Sequence, residues 1–125
     1  MPRVLVVEDN AVNLELLIAL LEQEGCAVLS APTALAGLAL ARAARPALIF
    51  MDVQLPGMTG YEATRLLKTD PATAAIPVMA ITAHAMVGEE ARAQAAGCDG
   101  YLTKPLTTAA FRAVLERLLK RSAPE

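Results

Sequence analysis

Five short apolar runs, at residues 3–7, 26–31, 47–51, 77–82 and 100–103, alternate with five stretches patterned as helices, at 11–24, 34–44, 60–68, 87–96 and 108–120. Such alternation predicts a parallel sheet, because parallel neighbours need a crossover connection and a helix supplies it. Runs such as Val4-Leu5-Val6-Val7 and Leu48-Ile49-Phe50-Met51 are apolar at every position, as a strand covered on both faces must be. Punctuation agrees with this division. Gly25 and Gly97 stand just past helix ends, Pro46 and Pro77 precede strands, and Asn10 and Thr108 are placed to cap the helices that follow them. With right-handed crossovers, five such units predict an α/β fold of the flavodoxin-like, doubly wound kind. The sheet has five parallel strands in the order 2-1-3-4-5, with helices on both faces.

A chain of 125 residues has room for one core, and neither a repeat nor a linker divides it. Residues 1–121 are expected to form one domain and 122–125 a short tail. At 55% apolar the chain is too hydrophobic to stay disordered. No run approaches the roughly 18 apolar residues of a membrane span, and Glu8-Asp9 interrupts the first run before a signal-peptide core forms. A cytoplasmic protein with no membrane insertion is expected. A net charge of -2 and a pI near 5.4 argue against direct nucleic-acid binding. Cys26 and Cys98 fall toward opposite edges of a 2-1-3-4-5 sheet. Four strand spacings make about 19 Å, beyond disulfide reach, so both are read as thiols packed as small hydrophobes.

Open α/β sheets build their working site at the carboxyl ends of the central strands. After the first run come Glu8 and Asp9, after the third Asp52, at the fourth Thr82 and Ala83, and after the fifth Lys104-Pro105. Alone, each of these is an ordinary solvated helix start or turn residue; together at one edge they make a crevice of three carboxylates, a hydroxyl and an ammonium. Carboxylates so close repel one another unless a cation neutralises them. Magnesium, which takes oxygen ligands, suits the set, whereas zinc does not. A metal-bound carboxylate beside a lysine and a hydroxyl is equipped for phosphoryl transfer, in which equatorial oxygens must be neutralised and positioned. Asp52 is the natural acceptor, since it ends a buried run and opens into the Pro/Gly loop Gln54-Leu55-Pro56-Gly57-Met58-Thr59-Gly60.

Four segments, read together, resemble response-regulator receiver domains of the CheY-like family over nearly the whole length. They are Val6-Val7-Glu8-Asp9-Asn10 with Asn13, Met51-Asp52-Val53-Gln54-Leu55-Pro56-Gly57-Met58-Thr59-Gly60, Ile76-Pro77-Val78-Met79-Ala80-Ile81-Thr82-Ala83 and Gly97-Cys98-Asp99-Gly100-Tyr101-Leu102-Thr103-Lys104-Pro105. The stretch Ala85-Met86-Val87-Gly88-Glu89-Glu90 and the Gly97-Cys98 step are most similar to single-domain, DivK-type cell-cycle regulators. The resemblance implies that Asp52 is the phosphoacceptor. Asp9, Asp52 and the Gln54 carbonyl would bind magnesium, with Glu8 assisting through water. Lys104 would pair with the phosphoryl group, Thr82 would be the switch hydroxyl, Ala83 would offer its amide, and Tyr101 would be the aromatic that turns with the switch. A cis Lys104–Pro105 peptide is implied as well. Glu8 stands where many receivers have Asp, one methylene shorter. His84, the sole histidine, is expected as a partly exposed wall of the crevice, and with Gln54 it would influence access of the hydrolytic water.

The expected function is therefore a single-domain response regulator, phosphorylated from a histidine kinase or histidine phosphotransferase and signalling to a protein target through the face of the fourth helix, fifth strand and fifth helix. It would catalyse only its own phosphorylation and dephosphorylation. A receiver cut from a larger protein is the nearest alternative. A small aspartate-based phosphatase would need a second acid two residues after the nucleophile, where Gln54 stands. A flavin or nucleotide phosphate would be repelled by Glu8-Asp9. The first helix carries Val12, Leu14, Leu16, Leu17, Ile18, Leu20 and Leu21, which span roughly 240° of the wheel against the ~100° or more that a surface helix buries. Leu17, Leu20 and Leu21 are expected on the sheet, and either Leu14 with Ile18 or Val12 with Leu16 in solvent, as a docking stripe for the phosphodonor.

Overall fold

The structure is a computed structural model that describes residues 1–83 and 87–122. Along the chain lie β1 (Arg3–Val7), α1 (Ala11–Gln23), β2 (Ala27–Ala31), α2 (Ala34–Ala44), β3 (Leu48–Asp52), α3 (Gly60–Thr69), β4 (Val78–Thr82), α4 (Glu89–Ala96), β5 (Gly100–Thr103) and α5 (Thr108–Ser122). The five strands pair in parallel in the order β2-β1-β3-β4-β5, as expected from the alternation. Among the described residues, no helix is long and apolar enough to cross a membrane.

The apolar runs divide between two cores by the two-residue period of a strand. Val4, Val6, Leu48, Phe50, Met79 and Ile81 pack with Leu17 and Leu21 of α1 and with Phe111, Val114, Leu115 and Leu118 of α5. Phe50 and Phe111 stack with their centroids 4.8 Å apart, a contact worth about 0.5–1.5 kcal/mol beyond its buried area. The alternate residues Leu5, Val7, Ile49, Met51 and Val78 pack with α2 and α3. A smaller cluster of Val53, Tyr61, Ala80, Ala93 and Ala96 joins the sheet to α3 and α4. Both cysteines are free, Cys26 buried just ahead of β2 and Cys98 half-buried just ahead of β5.

Local chemistry fixes the helix ends. Asn10 caps α1 by accepting the Asn13 amide at 3.0 Å, and Thr59 and Glu62 form a reciprocal capping box at the start of α3. The cap expected at Thr108 is instead Thr107, whose hydroxyl accepts the Ala110 amide at 3.2 Å, while Thr108 is already helical. The fourth helix was expected from residue 87 but begins at Glu89, because Gly88 sits at φ 90°, in the left-handed region that a helix does not admit. β3 runs one residue further than expected and includes Asp52 itself. On α1, Leu17 and Leu21 are buried and Leu20 half-buried, and the exposed edge is Val12 with Leu16, at 74% and 48%.

Candidate functional site

Register brings the acids together. The β1–β3 ladder pairs Val6 with Phe50 and Val7 with Met51, so one step further Glu8 comes beside Asp52, and Asp9 joins them from the turn before α1. One carboxylate oxygen from each of the three lies within 4.8 Å of the other two. Glu8 and Asp52 are buried at 2% and 3% exposure, whereas Asp9 is exposed. The Asp52 Oδ1 accepts the Gln54 amide at 3.0 Å, and Glu8 Oε2 accepts the Asn10 amide at 3.2 Å. These two amides fix the carboxylates at the sheet edge.

Lys104 arrives from the other direction. Thr82 pairs with Thr103 on the β4–β5 ladder, and the Lys104 amide donates to the Thr82 carbonyl at 2.8 Å. The peptide that follows, Lys104–Pro105, is cis, as the resemblance implied. The ammonium reaches back over the sheet edge to Glu8 Oε1 at 3.0 Å and Asp52 Oδ2 at 3.8 Å. Its nearer partner is thus Glu8, a contact that spacing along the chain does not reveal.

Burial, and then contact with Asp52, hold the Glu8 carboxyl above its ordinary range, against the opposing pull of Lys104. Glu8 and Asp52 share the Lys104 ammonium, and among the described residues the cluster of Glu8, Asp9 and Asp52 offers carboxylate oxygens as ligands. That donor set, with Asp9 exposed to solvent, fits a hard dication such as magnesium, and among the described residues the cluster has none of the nitrogen or sulfur that zinc prefers.

The remaining expected residues divide between the two faces of the sheet. Thr82 has the strand parity of Ala80 and Val78, and it lines a cavity of about 230 Å³ with Val53, Gln54, Thr59, Tyr61, Glu89 and Arg92, on the α3–α4 side. Ala83 instead lines a groove of about 310 Å³ with Asn13, Leu16, Leu17, Lys104, Pro105 and Leu106, between α1 and the start of α5. Tyr101 is half-buried on β5, paired with Ala80 and packed against the cluster that holds Val53 and Tyr61. It stands behind the crevice and does not line it. His84, expected as a wall of the crevice, lies outside the described residues.

Gly60 has a role the sequence reading missed. A Cβ there would sit 2.2 Å from the Asp52 carbonyl oxygen and 2.8 Å from the Val53 Cα, so only glycine lets α3 start against the end of β3. Tyr61, Glu89 and Arg92 were also missed. Glu89-Glu90 reads as a solvated helix start, and no periodicity links residue 61 to residue 89.

The profile of the response regulator receiver domain family matches residues 4–116. The polar-differentiation response regulator DivK of Brucella anthropi is 44% identical over 112 residues, covering 89% of this chain and 91% of that protein. Its counterpart from Brucella ovis is 43% identical over 108 residues, 86% of this chain and 88% of that one. Among solved structures, the receiver domain of a Pseudomonas aeruginosa sensor histidine kinase, which has a magnesium ion coordinated in its active-site cleft, is similar with a TM-score of 0.89 at 32% identity, covering 95% of this chain and 98% of that one. The Vibrio cholerae chemotaxis protein CheY4 is similar with a TM-score of 0.89 at 28% identity, covering 95% and 99%.

Proposed function

The chain belongs to the family of response regulator receiver domains, and from that membership we propose that Asp52 accepts a phosphoryl group from a phosphohistidine and that the resulting change of shape is the signal. The observation that carries this reading is the Asp52 carboxylate, buried at the sheet edge with Oδ1 held by the Gln54 amide and Oδ2 facing the Lys104 ammonium. In the step itself, Asp52 Oδ2 attacks phosphorus, the bond from phosphorus to the donor's imidazole nitrogen breaks, and the electron pair leaves with the imidazole. Lys104 lies where it neutralises a phosphoryl oxygen as that bond forms.

Asp9, Asp52 and the Gln54 carbonyl would hold a magnesium ion, with Glu8 assisting through water; when bound, it supplies positive charge against the equatorial oxygens. Thr82, on the neighbouring strand, supplies a hydroxyl and Ala83 an amide to the phosphoryl group. Tyr101 turns with Thr82, so that the face of α4, β5 and α5 changes for a protein target. Residues 1–121 are read as the receiver unit, acting in the cytoplasm and catalysing only its own phosphorylation and dephosphorylation; of the expected tail 122–125, Ser122 ends α5 and residues 123–125 lie outside the described residues. Gln54 in place of a second acid argues against a phosphatase.

Acetyl phosphate with magnesium tests the acceptor. Asp52 should take the label and Asp52→Asn should take none; label on the variant, or label mapped to His84, would overturn the assignment.

A further inference from the structure

The helix beside the Thr82 cavity has little apolar surface to hold it in place. α4 reads Glu-Glu-Ala-Arg-Ala-Gln-Ala-Ala, and it buries only Glu89, Ala93 and Ala96. Its eight residues fall short of the about 12–15 that an isolated helix needs in water. Its N-cap, Gly88, has no side-chain oxygen to accept the free amides of the first turn. What secures that turn is polar and comes from another helix.

The Tyr61 hydroxyl, on α3, donates to Glu89 Oε1 in a buried hydrogen bond. The Arg92 guanidinium lies 5.1 Å above the centre of the Tyr61 ring and 3.9 Å from Glu89 Oε2, so an ammonium-like charge covers both the ring and the acid. These three side chains line the cavity into which Thr82 and Gln54 also face. Burial, and then the bond to Glu89, push the Tyr61 hydroxyl well above its ordinary range, so it remains a donor throughout the physiological pH range.

An apolar interface would hold α4 alike through small shifts. A hydrogen bond to a buried carboxylate is made or lost within about an ångström, so this anchor responds to small displacements to which an apolar contact is indifferent. We infer that Tyr61, Glu89 and Arg92 form a latch that holds the first turn of α4 against α3, and that a change at Thr82 reaches the α4 face by releasing it. The inference rests on the reading of Asp52 and Thr82 above and adds the contact through which that site is regulated.

Amide hydrogen exchange, read segment by segment in unlabelled protein and after acetyl phosphate treatment, tests it. In unlabelled Tyr61→Phe, which keeps the ring and removes the donor, the amides of residues 92–95, the first of which donates to the Gly88 carbonyl and the rest to the carbonyls of the first turn, should exchange about tenfold faster or more, with β1 and β3 unchanged. Glu89→Gln should add little in the Tyr61→Phe background, since the hydroxyl that donates to residue 89 is already gone. In the wild type, labelling should raise exchange in the same segment toward the Tyr61→Phe level. Unchanged exchange at 92–95 in the variant would overturn the latch, as would a rise matched in β3, which marks general loss of stability. A wild type that takes label without any change at 92–95 would overturn the coupling. If no label reaches Asp52, the phosphoacceptor reading fails, and the unlabelled comparison still decides the latch.

Discussion

Glu8 reaches Lys104 at 3.0 Å while the Asp52 carboxylate stands at 3.8 Å, so the longer acid at this position takes the larger share of the lysine. Lys104→Ala should therefore act twice. Labelling of Asp52 by acetyl phosphate should fall at least tenfold, and stability should drop by about 1–3 kcal/mol, because a buried carboxylate loses its charged donor. Urea unfolding with and without magnesium checks the second effect, and the loss should shrink when magnesium is present. Gly60 is the other position where a single atom decides. Gly60→Ala places a Cβ against the Asp52 carbonyl oxygen, which should cost about 1–3 kcal/mol or more in the same assay and slow labelling by displacing the end of β3. Neither effect is legible along the chain, since Glu8 and Lys104 are 96 residues apart and a glycine after a turn looks like any other.

Among the elements, α1 shows how far patterning goes. Its apolar arc is too wide for one buried face, which predicts an exposed edge but leaves open which one. The packing of Leu17 and Leu21 on the sheet settles it, leaving Val12 and Leu16 outward. Leu16 also borders the groove formed with Ala83, Pro105 and Leu106, next to Lys104. An amphipathic helix of a phosphodonor laid along this edge would meet apolar side chains and bring its histidine toward Asp52. Changing Val12 and Leu16 together to Glu should cut phosphorylation by the donor protein at least tenfold and leave acetyl phosphate labelling within about twofold. Equal losses with both donors would mean a damaged fold and no docking role.

For the whole molecule, the consequence of gathering three acids at one sheet edge is a charge repulsion that a bound cation would relieve. Asp9→Asn removes the exposed member of the cluster and should stabilise the magnesium-free protein by about 0.5–1 kcal/mol. Millimolar magnesium should raise the melting temperature of the wild type, and the same change should abolish most of that rise. A variant that is no more stable without the ion and responds to it as the wild type does would remove Asp9 from the ion's ligands. The sequence by itself determined the layered α/β fold, the strand order and the edge on which the chemistry gathers. These follow from periodicity and chirality, which every short segment carries on its own. Only the tertiary structure decided that Glu8 is the nearer partner of Lys104, that Val12 and Leu16 are the exposed pair, and that Tyr61 anchors Glu89. Each depends on the separation of side chains from different elements, set by ladder register and helix packing to a fraction of an ångström, and a one-dimensional pattern does not encode that separation.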